Sequence, residues 1–464
     1  MNFSTTKFIL LLLYNLSFIF ALNLRLTDYH NPQANHILDV EIIGNVLIVS
    51  AMVQGIEFYD ISNDENINHL TNFSLSSGGG WGGGSKANCV RAIGNIAYFT
   101  SNNGLYIVDI SNPSNPESLG SVSGTNNYNL ENLDIYGNVL AVCAHNDGVL
   151  LYDISNPINP IYSSTINANN AWANVINKDI IYIGDEQNIL IYDISDIEAP
   201  NIVGSITETN AIKDVIIDNN NLYVAIGSDG VSVYDLSSIN GPQLLDNFNT
   251  GTMANRLSIF DNKVAVSDWE DIDILEWDGI SLNQVGYKNT GNRSMAIAAK
   301  NGGYIYSAEW ASIQVFKYGE ISGPDIDLSS WELNYPYVES GNSFSLFLEV
   351  TNNGNQILIN TDNYTTNSEF YIVNPLQSLA PGQSQNIEII YNASNSNASG
   401  SYRIYSNDQD EPEIICETNG NIDGANIGEP AIDFILDYVA NGTGSFQLSE
   451  HLGKIVVLAF FAPN

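Results

Sequence analysis

The sequence is poor in positive charge. Its 464 residues include 14 Lys and Arg against 52 Asp and Glu, which gives a formal net charge of −38 at pH 7. Nucleic acids and anionic membrane surfaces are bound by clustered Lys and Arg, so neither is expected as a partner. The acidic surplus has two interpretations, which are solubility at high ionic strength and specific binding of cations.

Cysteine is also scarce, with Cys89, Cys143 and Cys416 as its three occurrences. An odd and scattered set of this kind does not form a disulfide framework. Cys89 and Cys143 fall in strand-like runs of different repeats, and Cys416 falls in a later domain. We therefore expect three buried free thiols.

A single apolar run, residues 8–20, stands out near the start of the chain. It is short for a membrane span, it follows Lys7, and Ala21 is suited to cleavage. Residues 1–21 are therefore predicted to be a signal peptide, with an uncleaved signal anchor as the alternative. Either reading takes the remaining chain out of the cytoplasm, to the cell surface, the periplasm or the medium. No Cys follows the junction, so a lipoprotein anchor is not indicated.

A short motif recurs along the first two thirds of the chain. Tyr59-Asp60-Ile61-Ser62 is its first copy, and its central position returns at residues 60, 109, 153, 193, 235, 276 and 317, at intervals of 40 to 49 residues. The last two copies are degraded. A period of about 40–45 residues built from short strands is typical of β-propeller blades.

Each repeat predicts a four-stranded antiparallel sheet. In the first repeat, alternating runs at residues 39–43, 46–50, 55–59 and 68–73 are separated by Gly and Asn turns. The seventh repeat supplies three runs and lacks a fourth, whereas residues 24–29 form a spare run at the front. We expect this spare strand to pair beside Ile313–Tyr318 and to close the ring, which removes an open sheet edge.

The repeats resemble the LVIVD-repeat family of bacterial surface propellers. The resemblance rests on the run G-N-x-h-x-h-x-x-x-x-G-h-x-h-h-D-h-S-N-P, where h is apolar, and covers roughly residues 23–322. It implies a seven-bladed, extracytoplasmic propeller and does not imply a ligand. The predicted domain is 22–322.

The recurring Asp is interpreted as structural, because an Asp two residues before a Ser caps nearby backbone N–H groups. Candidate ligand-binding residues lie instead in turns between second and third strands and in a Gly-rich insertion at residues 78–84. They are Trp81, Asp147, Asp185, Asp229, Asp268, Trp269 and Trp310. This acidic, aromatic rim predicts a sugar, peptide or cation as ligand; the alternative is that the turns are merely polar and the Gly run is a spacer. No dedicated metal site is predicted.

Residues 323–423 have a different sequence pattern, in which several short strand-like runs are separated by turn signals. This pattern predicts a β-sandwich. The turns V-T-N-N-G, L-A-P-G-Q-S and S-N-D-Q-D-E-P resemble those of immunoglobulin-like domains of the Abnormal-spindle/Hydin type. In secreted bacterial proteins this resemblance implies a spacer or interaction module. Asp408, Asp410 and Glu411 have two readings, a cation site and a polar hairpin turn.

Residues 424–464 contain the one sequence pattern that suggests a catalytic activity. I-G-E-P-A-I-D-F-I-L-D, from Ile427, and G-K-I-V-V-L-A-F-F-A-P, from Gly453, are similar to the opening of thioredoxin/peroxiredoxin-superfamily (redoxin) domains, apart from Ile432, where the family has Pro. The resemblance implies a reactive Cys at a helix N-terminus just after Asn464. The sequence is therefore interpreted as an incomplete reading frame that holds the start of this α/β domain and is itself inactive.

Two classes of function follow. The full-length protein is predicted to be an extracytoplasmic thiol–disulfide oxidoreductase tethered to a propeller scaffold, or else a non-enzymatic surface binding or adhesion protein. A thiol peroxidase of the alkyl hydroperoxide reductase/thiol-specific antioxidant type is a further alternative. The expected partners are a surface protein, peptide or glycan on the propeller face and a redox partner in the first case. No cofactor is predicted.

Overall fold

A computed structural model describes most of the propeller repeats and the second domain. The described residues are 24–30, 37–51, 55–64, 66–75, 87–238, 241–310, 312–319, 323–394, 397–409, 411–421, 435–437 and 445–447. The predicted signal peptide, Trp81 with its Gly-rich insertion, and most of the redoxin-like segment lie outside them. The described residues are strands, turns and loops without a helix, so they contain no apolar helix of membrane-spanning length.

Five sheets each contain four consecutive antiparallel strands. After β1 (Leu24–His30), the strands of these sheets are, in chain order, β2 (Ile37–Ile43), β3 (Val46–Ala51), β4 (Gly55–Asp60), β5 (Asn68–Phe73); β6 (Ala87–Ile93), β7 (Ile96–Ser101), β8 (Gly104–Asp109), β9 (Glu117–Ser121); β10 (Leu133–Tyr136), β11 (Val139–Cys143), β12 (Val149–Asp153), β13 (Ile161–Ile166); β14 (Ala171–Asn177), β15 (Ile180–Asp185), β16 (Asn188–Asp193), β17 (Asn201–Thr207); β18 (Asp214–Asp218), β19 (Asn221–Ala225), β20 (Val231–Asp235) and β21 (Gln243–Phe248). These bounds confirm the predicted strands of the first repeat.

A sixth sheet contains the last two repeats. Its strands are β22 (Ala254–Phe260), β23 (Lys263–Trp277), β24 (Leu282–Lys300), β25 (Tyr304–Glu309) and β26 (Ile313–Tyr318), together with β1. β24 pairs with β23 through its first part and with β25 through its last part. Two four-stranded units are thus joined by long continuous strands.

The N-terminal strand closes the ring, as predicted. β1 pairs antiparallel with β26, with Leu24 opposite Tyr318 and His30 opposite Ile313. Asp28 also accepts a hydrogen bond from the backbone N–H of Ile67, at 2.7 Å, in the loop before the outer strand of the first unit. The first and last units are therefore fastened to each other by the same strand.

The first strands of the seven described units form the inner wall of the ring. Each contacts the first strand of the next unit, in the order β2, β6, β10, β14, β18, β22, β24 and back to β2. The apolar core is divided correspondingly into clusters between neighbouring units. The cluster that joins the two ends of the ring packs Val49 and Tyr59 of the first unit against Tyr306 and Val315 of the last.

Steric constraints require Gly at the position before the third strand of a repeat. At Gly148 the backbone has φ 84°, and a Cβ atom there would lie 2.1 Å from the carbonyl oxygen of Ile166. Gly55 and Gly230 meet the carbonyl oxygens of Phe73 and Phe248 in the same way. Only Gly allows the fourth strand this close an approach.

Two further four-stranded sheets follow the ring. Their strands are β27 (Ile326–Leu328), β28 (Glu332–Asn334), β29 (Ser343–Asn352), β30 (Asn360–Thr365), β31 (Phe370–Ile372), β32 (Ser384–Asn392), β33 (Ala398–Ser406) and β34 (Glu413–Gly420), in the orders β27-β29-β32-β31 and β28-β34-β33-β30. Residues of both sheets share one buried core that includes Tyr335, Phe370, Tyr391 and Tyr402.

The V-T-N-N-G turn is organised by one buried amide. The Asn352 side chain, which is fully buried, donates to the carbonyl oxygens of Gln356 and Leu379 at 2.8 and 3.0 Å. It accepts from the backbone N–H groups of Asp325 and Gly354. Asn352 therefore ties the entry strand to two turns of the second domain. The last described strands, β35 (Ile435–Asp437) and β36 (Ser445–Gln447), pair with each other antiparallel.

Candidate functional site

The recurring Asp of the repeat is structural, as predicted. Its carboxylate accepts the backbone N–H two residues later, at 2.8–2.9 Å, in all five well-preserved repeats: Asp60, Asp109, Asp153, Asp193 and Asp235. The hydrogen bond from Ser62 lowers the pKa of Asp60, and the other four carboxylates show the same direction for the same reason. These carboxylates fix turns and are not a ligand set.

Three of the predicted rim carboxylates are engaged by the linkers that enter their units. Asp185 accepts the backbone N–H of Asn170 at 2.6 Å, and Asp229 accepts the hydroxyl of Thr209 at 2.6 Å. Asp268 accepts the backbone N–H of Thr252 at 3.3 Å. Asp185 and Asp268 are buried, whereas Asp147 is exposed in its turn. Ligand binding by these residues stays a prediction.

The structure brings two of the predicted tryptophans together around an arginine. The Arg293 guanidinium lies 4.9 Å from the ring centre of Trp269 and 5.9 Å from that of Trp310. Cation–π contact of this kind stabilises the pair of turns. The third predicted tryptophan, Trp81, lies outside the described residues.

A different set of polar side chains meets at the centre of the ring. We call Glu131, His145, Trp172, Lys213 and Arg256 the axial cluster. Trp172 and Arg256 lie in the inner strands β14 and β22, Glu131 and Lys213 lie just before β10 and β18, and His145 follows β11. A cavity of about 310 Å³ opens here; its lining residues are Leu38, Asn88, Asn102, Asn129, Glu131, Trp172, Asn255, Arg256 and Met295.

The charged groups of the axial cluster lie slightly too far apart for direct hydrogen bonds. The Glu131 carboxylate is 3.6 Å from Nη2 of Arg256 and 3.7 Å from Nε2 of His145. That imidazole nitrogen is buried and makes no hydrogen bond. The cluster therefore offers the Nε2 atom of His145, beside an ion-paired carboxylate, to a small polar ligand.

Aromatic and cationic groups complete the cluster. The Lys213 ammonium lies 5.4 Å from the ring centre of Trp172, and the His145 ring meets the same indole edge-on at 5.2 Å. Burial lowers the pKa of Lys213, and the neighbouring Arg256 adds to this. For Glu131 burial raises the pKa, and Arg256 and His145 oppose the rise.

Buried and partly buried carboxylates of the inner strands join neighbouring units. Asp39 accepts the backbone N–H of Val90 at 3.0 Å, Asp134 that of Ile176 at 2.7 Å, and Asp214 that of Leu257 at 2.9 Å. Each bond runs from one inner strand to the inner strand of the next unit. They hold the wall rigid, so the axial cluster above it is pre-organised.

None of the residues of the axial cluster is among the site residues predicted from the sequence. Its one useful signal is the scarcity of cations: in a chain with 14 Lys and Arg, Arg91 and Arg256 both stand inside first strands of repeats. A cation in an otherwise apolar strand indicates a buried partner. The sequence does not state which carboxylates those partners are.

The three thiols are free and buried, as predicted. Burial raises the pKa of Cys143 and of Cys416 to about 12 in each case, and it raises that of Cys89 well above its usual range. A thiolate is the reactive form, so none of the three is suited to nucleophilic chemistry.

We accordingly expect no reaction of the native protein with Ellman's reagent at pH 8. In guanidinium chloride, all three thiols should react, because unfolding exposes them and restores ordinary pKa values. The measurement is the absorbance of the released thiolate. A fast-reacting thiol in the native state would contradict the structure.

A larger cavity of about 750 Å³ lies between the ring and the second domain. Its polar walls are already paired: Lys288 lies 3.3 Å from the Glu411 carboxylate, and the Trp331 indole donates to Asn289 at 2.9 Å. Since these groups satisfy each other, this cavity reflects the junction of the two domains. The axial cavity is the stronger candidate site despite its smaller volume.

The repeats and the sheets together fit a β-propeller. The LVIVD repeat model matches residues 84–123 and 171–208, two ranges that include the strands β6–β9 and β14–β17. Within the ring, this agrees with the resemblance that the repeat motif predicts.

One solved structure with a TM-score above 0.5 is similar in fold. A chain of a mitotic checkpoint complex is similar with a TM-score of 0.52 and 13% identity, over 64% of this chain and 97% of that chain. The computationally designed protein Ika8 aligns with a TM-score of 0.48 and 14% identity, over 64% of this chain and 99% of its own. No curated protein sequence matches significantly.

Proposed function

We propose that this protein is an extracytoplasmic, non-enzymatic binding scaffold whose propeller holds a small polar ligand at the axial cluster. The observation that carries the proposal is Nε2 of His145, which is buried without a hydrogen-bond partner and lies 3.7 Å from the Glu131 carboxylate. Trp172 beside it supplies an apolar face on which a sugar ring or an aromatic side chain stacks. A volume of about 310 Å³ is at the lower end of small-molecule sites.

The ligand class follows from the lining. Four Asn side chains surround the cavity: Asn88, Asn102, Asn129 and Asn255. Amides both donate and accept, as a glycan hydroxyl or a peptide amide requires. The cluster holds the Glu131 carboxylate together with the cations of Arg256 and Lys213, so a strongly charged ligand of either sign meets repulsion as well as attraction. A glycan end or a short neutral peptide is the best fit.

The test is a glycan and peptide array probed with the wild-type protein and two variants. Trp172→Ala should abolish binding to the array ligand, since it removes the stacking surface. Tyr162→Ala is the matched control, because Tyr162 is an exposed aromatic residue of an outer strand, and it should bind as the wild type does. Loss in the control variant, or full binding by Trp172→Ala, would contradict the proposal.

The second domain is proposed to be an immunoglobulin-like spacer. This is supported by its two four-stranded sheets over a single core and by the buried Asn352 of the V-T-N-N-G turn. Its role in the scaffold is to hold the propeller at a distance from whatever follows. Domain limits of 22–322 and 323–423 stay predictions.

Thiol–disulfide exchange is the second candidate function, and the redoxin-like segment favours it. The strands β35 and β36, which pair with each other, lie within that segment. Such activity needs a reactive Cys other than the three buried thiols described above. An insulin-reduction assay of this chain should give no rate above background; reduction that is lost when the native protein is alkylated would contradict the assignment of the three thiols as unreactive.

A further inference from the structure

Three carboxylates of the sixth unit are packed together without a cation. Asp268, Asp271 and Asp273 each present a carboxylate oxygen that lies within 4.8 Å of those of the other two. Their side chains are 0%, 6% and 0% exposed. Among the described residues, no ion pair joins any of the three to a Lys, Arg or His.

Neutral donors hold these carboxylates by one oxygen and leave the other open. Asp268 accepts the Thr252 N–H through Oδ2, and Asp273 accepts the Gln284 amide through Oδ1. One oxygen of each of the three residues, namely Asp268 Oδ1, Asp271 Oδ1 and Asp273 Oδ2, is buried without any hydrogen-bond partner. Buried and unpaired carboxylate oxygens are costly, and three of them close together need a shared partner.

A second acidic group serves as an internal contrast. Asp325, Asp408 and Glu411 also lie within 4.8 Å of one another. There Lys288 lies 3.3 Å from Glu411, and Asp408 accepts the Ile326 N–H at 2.8 Å. The protein's own ammonium group balances that group, whereas the group in the sixth unit has none.

We propose that Asp268, Asp271 and Asp273 bind a calcium ion. An all-oxygen, carboxylate-rich set suits a hard divalent cation. Calcium binds its ligands at 2.3–2.6 Å, so ligand oxygens on opposite sides of the ion are about 5 Å apart, which accommodates the separations found here. The ion joins the end of the first part of β23 to its second part across the turn at Trp269, whose φ is 52°.

Calcium at this point fixes the turn that carries one tryptophan of the Trp269–Arg293–Trp310 stack. The turn backbone is in the left-handed region, which non-Gly residues rarely adopt. The site is separate from the axial cluster and does not depend on its function.

The test uses the whole chain after treatment with EDTA and exchange into chelator-free buffer at pH 8. Titration with calcium chloride in a calorimeter should give one site, and the melting temperature should rise with calcium. Terbium should bind in its place with luminescence sensitised by Trp269, and calcium should displace it. Absence of calorimetric heat and of a thermal shift in the folded wild type would overturn the proposal, and an equal effect of magnesium would overturn the assignment to calcium.

Variants locate the ion. Asp273→Asn and Asp271→Asn should each weaken calcium binding by more than about ten-fold. Loss of a group that only supports a metal ligand already costs about ten-fold or more, and these residues are proposed to bind the ion directly. Asp408→Asn, in the acidic group balanced by Lys288, and Asp229→Asn, in the corresponding turn of the fifth unit, should leave it unchanged. Unchanged calcium binding in Asp271→Asn and Asp273→Asn, or its loss in Asp408→Asn, would place the ion elsewhere and overturn the proposal.

Discussion

Removal of the N-terminal strand should open the ring. Deleting residues 24–30 takes β1 away from β26 and leaves a row of unpaired backbone groups on the last unit. It also removes Leu24, which is 1% exposed and packs against Phe316 and Ile305. We expect a marked fall in the denaturant midpoint and self-association through the exposed edge, measured by guanidinium unfolding and by sedimentation.

Point variants in the same strand separate ring closure from a general effect of truncation. Leu24→Ala should cost about 2–5 kcal/mol, the usual range for a fully buried Leu. Tyr29→Ala, at a position that is 52% exposed, should change stability by no more than about 0.5 kcal/mol. Equal stability of the deletion variant and the wild type would show that β1 does not close the ring.

Replacement of Lys288 should have the second large effect. This side chain is 2% exposed and lies 3.3 Å from Glu411 and 3.8 Å from Asp327. Lys288 belongs to the propeller strand β24, and both carboxylates belong to the second domain. Lys288→Met leaves the buried Glu411 and the partly buried Asp327 without their cation, and breaking a buried pair in this way costs about 3–5 kcal/mol.

The control for Lys288 is Lys263→Met, which breaks an ion pair with the partly exposed Glu276 and should cost no more than about 1 kcal/mol. The double variant Lys288→Met/Glu411→Leu should recover part of the loss, because one unpaired carboxylate is gone. Unfolding curves and limited proteolysis between the two domains provide the readouts. A Lys288→Met variant as stable as Lys263→Met would contradict a buried junction pair.

The repeat architecture could be predicted because the residues that determine it lie close together in the sequence. Period-2 alternation, the Gly before the third strand and the Asp before each Ser act within one unit, and the structure places them as the motif indicates. Ring closure was also predictable, since a three-stranded last repeat and a spare first strand complement each other. Both arguments need a count of strands and no knowledge of distant contacts.

The axial cluster could not be predicted in this way. Glu131, Trp172 and Arg256 come from three different units, and only the closed ring brings them within a few ångströms. The contacts of the predicted rim were also hidden at the sequence level: Asp185 and Asp268 accept hydrogen bonds from the linkers that enter their units, while ligand binding by the rim stays a prediction. Side-chain direction in a turn depends on which donor lies nearby, and the alternation pattern carries no information on that.

The acidic group in the sixth unit, in contrast to the axial cluster, consists of residues that are close together in the sequence. Its three members lie within six residues, but the sequence pattern alone does not distinguish a solvated acidic turn from a buried one. Asp273, in the second part of β23, is fully buried once that strand pairs with the first part of β24. The group therefore emerges only when the strand is placed in the sheet.

The most direct test of the central claim is a crystal structure of the protein with the glycan or peptide selected on the array. The account predicts ligand density at the ring axis, stacked on Trp172 and bonded to Glu131 and Arg256. Density at the Trp269–Arg293–Trp310 stack, or in the cavity between the ring and the second domain, would contradict it.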